Sequence, residues 1–484
     1  MMSLSPTPQP RVTAMDLDGK SIKSLGIDDS LERRDDPASS ALAMVADANI
    51  EASMPPCDAT FKKRSMVSRA LDGWKFTGKE WACFFTLVVA GISDASAGAL
   101  IPYMQSYFHI GYMTVSTLFV GQCIGFILAS FSNTYLTDKF GLGTVIAWGA
   151  FQQTIAYTLM APPINFPLIV VCYAINGFGM ALQDAAANAY IGGTGGNVAW
   201  KMGLLHAFYG LGALISPLIA TAFVSSGIKF SYFWLVTLGL GVVNFLLLLS
   251  MFRLERESAA EDSSERQEGQ EMAAVGVRGM EEGNMVVQED DHKAKLKRIL
   301  TDRNVLVMAA FILLYVGTEV SIGGWIVSFV IDERSGGHSA GYIATGFWAG
   351  IALGRLCCPK LNTFVGEKKV IFYYLGIVIA LEFTIWFVES LPGNAVSVAV
   401  VGFVLGPFYP NAMSIAVKIL PRSLHSGAIG FIAAFGQQGA ALFPFITGAL
   451  AQRYSTNVLQ PIVLILCGAM AVLWYFVKID RKQA

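Results

Sequence analysis

Residues 86–102 read TLVVAGISDASAGALIP, and residues 311–327 read FILLYVGTEVSIGGWIV. Set one above the other, they place Asp94 over Glu319, Ser96 over Ser321 and Gly98 over Gly323, a constant offset of 225 (319 − 94). Each stretch is apolar except for one carboxylate near its middle. The same offset carries Gly121 and Gly125 onto Gly346 and Gly350, Gly141 onto Gly366, and the pair Gly177, Phe178 onto Gly402, Phe403. Chance supplies one such match but not a series running through several segments. The chain is read as a duplicated unit whose two copies run in the same sense.

Composition says where such a unit lives. Of 484 residues, 54% are hydrophobic and 14% charged, with a mean hydropathy of +0.53, whereas a soluble domain carries about 25% charged residues. Such a chain cannot cover itself in water. The net charge of −1 leaves no basic footprint for nucleic acid, and no nucleic-acid partner is expected. Cys83, Cys123, Cys172, Cys357, Cys358 and Cys467 fall within apolar runs and read as small packing residues. No phosphate loop, His-Glu-x-x-His zinc motif or cysteine–histidine pairing occurs, so an ATP-driven pump, an enzyme, a metal and a cofactor are not expected.

The expected fold is all-α and membrane-integral, with twelve transmembrane helices in two six-helix pseudo-repeats. Residues 1–78, rich in Pro, Ser, Asp and Arg, read as a disordered cytoplasmic tail. Six apolar segments follow within 79–252, each near the roughly 20 residues that cross a hydrocarbon core. Residues 253–303 turn to Glu, Arg, Gln, Ser and Lys, a solvated cytoplasmic linker. Six further segments lie within 304–478, and 479–484 form a short tail. Lys139, Lys201, Lys360, Lys368, Lys369, Lys418 and Arg422 would face one side, against Lys229, Arg334 and Arg453 on the other. That bias places both termini in the cytoplasm. A plasma-membrane location and a monomer are expected.

The run from Gly91 through Asp94 and Gly98 to Pro102 resembles the first helix of a fungal branch of the major facilitator superfamily, distantly related to the fucose–proton symporter. Gly177, Phe178, Gly179, then Asp184, Ala185, Ala186, Ala187, Asn188, is similar to that symporter's glycine-rich helix with its acidic residue. The resemblance implies a secondary transporter for a small organic solute, such as a sugar, and gives Asp184 a part in proton coupling. Exporters of metabolites are a further branch of the same relatives. The superfamily's loop signature is incomplete here: Asp138 and Gly141 keep part of it after the second helix, and Gly350, Gly354 and Arg355 keep part in the second half. These five are candidate gating residues.

An ionisable group inside a membrane helix is expensive and marks a partner or a solute path. Asp94, Asp184, Glu319 and His206 are therefore candidates for proton coupling, with hydrogen-bonded helix bracing as the alternative for each. A sodium site would need converging oxygens that no spacing reveals. Asn188, Tyr209, Trp325, Tyr409, Asn411, Gln437 and Gln438 are candidates to line a solute cavity, against plain interhelical bonding. Glu382 receives no role. A transporter-like sensor signalling through its tails is the remaining alternative.

Overall fold

Helix α1 shows how the chain enters its bundle. In the computed structural model Thr77 caps it: the Thr77 hydroxyl accepts from the Glu80 N–H at 3.2 Å, and the Glu80 carboxylate accepts from the Thr77 N–H at 2.7 Å. This reciprocal capping box satisfies two donors that a helix start otherwise leaves open. The helix then runs Gly78–Phe108 and ends where His109 turns left-handed, φ 52°. The structure describes residues 76–162, 165–194, 198–252, 297–421 and 424–477. Residues 1–75 of the expected tail 1–78, most of the linker, Arg422 and the end of the chain lie outside the described residues.

In the first half α1 is followed by α2 (Tyr112–Phe140), α3 (Leu142–Met160), α4 (Phe166–Gly193), α5 (Val198–Ser225) and α6 (Phe233–Phe252). The second half holds α7 (Arg303–Arg334), α8 (Gly341–Cys357), the short α9 (Pro359–Val365), α10 (Glu367–Phe387), α11 (Leu391–Leu405), α12 (Phe408–Ile419), α13 (His425–Gln437), α14 (Gly439–Arg453) and α15 (Leu459–Phe476). No strand occurs among the described residues.

Among the described residues, with the short α9 set aside and α11–α12 and α13–α14 each taken as one segment, the helices group into twelve segments, six in each half. Ten segments are both long and strongly apolar among the described residues. The other two are α3, 19 residues long and carrying Gln152 and Gln153, and α8, 17 residues long and ending near Arg355. The tenth and eleventh segments, expected as continuous helices, are interrupted: Gly406 and Pro407 separate α11 from α12, and Gln438 separates α13 from α14. At the second break the Gln438 N–H turns back to the Phe435 carbonyl at 3.2 Å, a tighter three-residue turn.

The 225-residue offset reappears as geometry. Gly125 packs on Ala174 and Phe178, and Gly350 packs on Ala399 and Phe403. Gly177 meets the Gln122 carbonyl, and Gly402 meets that of Phe347. Each contact in the second group is the first shifted by 225. Gly141 and Gly366 adopt φ 82° and 98° where α2 passes to α3 and α9 to α10, a conformation that costs other residues a Cβ clash.

Outward faces carry Phe131, Leu246, Phe387 and Ile465, all more than half exposed; hydrocarbon accepts such side chains at no cost. Several polar groups point inward and pair. Asn176 donates to the Ser93 hydroxyl at 3.0 Å and accepts from Gln153 at 3.2 Å. Thr86 donates to Asn244 at 2.9 Å. These bonds tie α1, α3, α4 and α6 together where an unmet polar group would cost several kcal/mol.

Candidate functional site

Two ends of the molecule can be told apart. At one, Lys79 sits over the Phe252 ring and Arg303 over that of Phe476, so the chain enters, passes between halves and leaves there; we call this the linker end. At the other, the halves are closed against each other. Gly98 meets the backbone of Gly323, and Tyr112 Oη donates to Asp332 at 2.7 Å. Trp325 fills the space beneath, its ring 6.0 Å from Tyr112 and 6.4 Å from Phe119, and its Nε1 donates to the Pro444 carbonyl at 2.9 Å. Between these layers a cavity of about 530 Å³ extends toward the linker end, where Trp200 and Pro359 line it.

On the first-half wall, α1 presents Asp94 at mid-depth. Its carboxylate accepts from Gln122 of α2 and, at 2.7 Å, from the Tyr209 hydroxyl of α5. Asp184 of α4 also lines the cavity, and the Asn188 amide four residues on donates to it at 2.9 Å. One turn of α4 brings the two together, as the i, i+4 spacing requires. His206 of α5 faces the same space without a hydrogen bond to Asp184.

The second-half wall is built differently. Arg355 of α8 reaches Glu319 of α7, its Nη2 lying 3.1 Å from one carboxylate oxygen and 3.4 Å from the other. Tyr315, one turn before Glu319, and Trp348, about two turns before Arg355, line the cavity with Tyr409 of α12 and Gln437 of α13. Three carboxylates thus face the cavity, Asp94, Asp184 and Glu319. Arg355 is the single lysine or arginine that does so among the described residues.

Of the residues singled out in the sequence, Asp94, Asp184, Glu319, His206, Tyr209, Tyr409, Gln437 and Arg355 meet at this cavity. Arg355, grouped there with the gating loops, points instead at Glu319. Asn188 stands behind Asp184. Gln438 accepts from the Cys123 thiol at 3.1 Å. Trp325 belongs to the closed layer at the far end, and Asn411, buried, donates to the Glu367 carbonyl at 2.7 Å. Gly350 and Gly354 pack α8 onto the α11 backbone, and Asp138 is exposed. Glu382 is buried in α10 away from the cavity.

Gln122, Tyr315 and Trp348 escaped the sequence reading; a polar amide in the middle of α2 was the available signal for the first. Escaping it too was Gly337, His338, Ser339, Ala340, Gly341, which has the Gly-x-Ser-x-Gly spacing of a hydrolase elbow. It forms a 3-10 turn between two helices rather than the strand-to-helix turn that exposes a nucleophile. Among the described residues no group of three or more His, Cys, Asp or Glu could hold a metal ion.

A helical membrane bundle with a central cavity between repeated halves is the architecture of membrane transporters, and the family match assigns this chain to that class rather than to an enzyme. The pattern of the Major Facilitator Superfamily matches residues 83–335 and 320–484, and the chain belongs to that superfamily. It is 25% identical over 405 residues to Bypass of stop codon protein 6 of Saccharomyces cerevisiae, covering 81% of each chain. It is 22% identical to the glucose/mannose transporter GlcP of Bacillus subtilis, covering 83% of this chain and 94% of that one. The crystal structure of the E. coli fucose:proton symporter FucP shares the fold, with a TM-score of 0.55 and 16% identity, covering 83% of this chain and 98% of that one.

Proposed function

We propose that the protein is a secondary active transporter that moves a small hydroxylated solute together with protons, by rocking its two six-helix bundles, 79–252 and 304–478, about the central cavity. The observation that carries this reading is the uneven charge of the cavity walls. Glu319 has a guanidinium partner, while Asp94 and Asp184 have only neutral donors. An unpaired carboxylate at this depth costs on the order of 2.5 to 3.5 kcal/mol, and a proton removes that cost. Loading from one side and unloading on the other makes one of the two aspartates the carrier, with His206, which lines the same cavity, as a relay.

The solute class draws support from the names of two relatives, one for glucose and mannose and one for fucose and protons. Aromatic side chains along the cavity, Phe119, Tyr209, Trp348 and Tyr409 among them, suit a ring with polar edges and apolar faces. The linker end faces the cytoplasm in this reading, and the protein works as a monomer in the plasma membrane. Uptake and efflux use the same cycle. The test is solute flux in reconstituted vesicles with and without an imposed proton gradient: accumulation that appears only with the gradient supports coupling, and equal flux in both retires it.

A further inference from the structure

The Glu319–Arg355 pair poses a question of cost. Burying an ion pair rarely stabilises a protein, because desolvation consumes most of the attraction. Such a pair is held more tightly when both ends of the guanidinium fork engage the carboxylate. Here one nitrogen, Nη2, straddles both oxygens of Glu319, and Arg355 Nε has no hydrogen-bond partner. The Tyr315 hydroxyl lies against both members of the pair, and farther along α8 the Trp348 indole nitrogen has no hydrogen-bond partner. Two buried donors, Arg355 Nε and Trp348 Nε1, are thus unspent on one wall of a cavity that also carries an accepting carboxylate.

We propose that Glu319 and Arg355 form the solute-anchoring subsite, and that they select a neutral solute carrying two adjacent hydroxyl groups. The inference rests on the transport reading and adds the chemistry of its cargo. Each hydroxyl is both donor and acceptor, so one donates to Glu319 while accepting from Arg355, and its neighbour takes a second guanidinium N–H. A side-chain shift that frees Tyr315 from the pair adds a further donor to the same oxygens. A carboxylate solute would meet three carboxylates against one guanidinium. An ammonium solute would compete with Arg355 for Glu319 and leave the guanidinium unmatched. Vicinal diols occur on hexoses and on the ribose of nucleosides, and the subsite chemistry is common to both.

The experiment is ligand-dependent thermal stabilisation of the purified full chain in detergent, where no gradient exists. The probes are neutral hexoses, their deoxy analogues, the matching hexuronates and hexosamines, and ribonucleosides with their 2′-deoxy forms. At least one neutral diol should stabilise the protein. Its deoxy and charged counterparts should bind at least tenfold more weakly, since a site built around polar groups rejects ligands that leave them unpaired. Hexoses or ribonucleosides stabilising the protein tells which source supplies the diol. Arg355→Lys keeps the charge and loses the fork, so affinity should fall at least tenfold. Glu319→Gln should weaken the same ligand, and Lys360→Gln, on the exposed surface, should not. Each variant's unliganded melting and gel-filtration profile separates weak binding from misfolding.

Stabilisation by no neutral diol, equal binding of charged or deoxy analogues, or unchanged affinity in a folded Arg355→Lys protein overturns the proposal. Binding without gradient-driven accumulation retires the coupling and leaves the subsite standing. Accumulation of an acid or an amine does the reverse.

Discussion

Gly98 and Gly323 occupy the same position in the two halves and touch each other, backbone against backbone, where the far end of the cavity is closed. Residues related by the 225-residue offset can meet only near the pseudo-two-fold axis, so that axis passes between α1 and α7 at this point. A Cβ at Gly98 would fall on the Gly323 carbonyl. Gly98→Val should therefore prevent this closure and hold the far end apart. A short bis-maleimide placed between Tyr112→Cys and Asp332→Cys, whose native side chains bond across the halves at 2.7 Å, reports the closure. The pair should cross-link while Gly98 is retained and fail to cross-link once Gly98→Val is added, with transport lost in the latter protein. Cross-linking unaffected by the substitution would show that the glycine contact does not govern closure.

Coupling and rocking separate in a second comparison. Asp94→Asn and Asp184→Asn remove the charge that a proton must neutralise. The variant that lacks the carrier should lose gradient-driven accumulation while still exchanging labelled for unlabelled solute, because exchange needs rocking and no net proton movement. If both variants accumulate solute as the parent protein does, the aspartates are braces.

At the linker end, Lys201 of α5 lies 2.5 Å from Glu80 of α1, and the carboxylate is 1% exposed. Removing one member of a buried pair leaves the other desolvated, at a cost of about 3 to 5 kcal/mol. Lys201→Met should lower the detergent unfolding midpoint accordingly, with the capping bonds to Thr77 offsetting part of the loss. The double variant with Glu80→Gln should recover most of it. A double variant no more stable than Lys201→Met alone would show that the pair is not the source of the effect.

Protease protection addresses orientation. Tags placed at either terminus and within 253–303 should all resist protease added to intact cells and all be cut once the membrane is opened. A linker tag cut from outside would invert the proposed topology.

Membrane class, the duplication and the position of the carboxylates within apolar helices were all legible in the order of the residues. These properties are local or periodic: a segment's length and apolarity decide whether it spans, and a constant offset records the repeat whatever the packing. Asp94, Asp184 and Glu319 stood out because a charge inside an apolar run is visible wherever the helix turns. Which side chains share a cavity was settled only when the helices packed. Arg355 sits at the end of α8 in a motif that suggests a loop role, and the rotation of α8 against α7 is what aims it at Glu319. Gln122 reaches Asp94, and Trp325 turns into the closed layer, for the same reason. An azimuth is set by the packing of small residues on neighbouring helices, such as Gly350 and Gly354 on the backbone at Phe403. The breaks at Gly406 and Gln438 likewise depend on neighbours that supply or withhold partners for the freed backbone groups, which no single segment specifies alone.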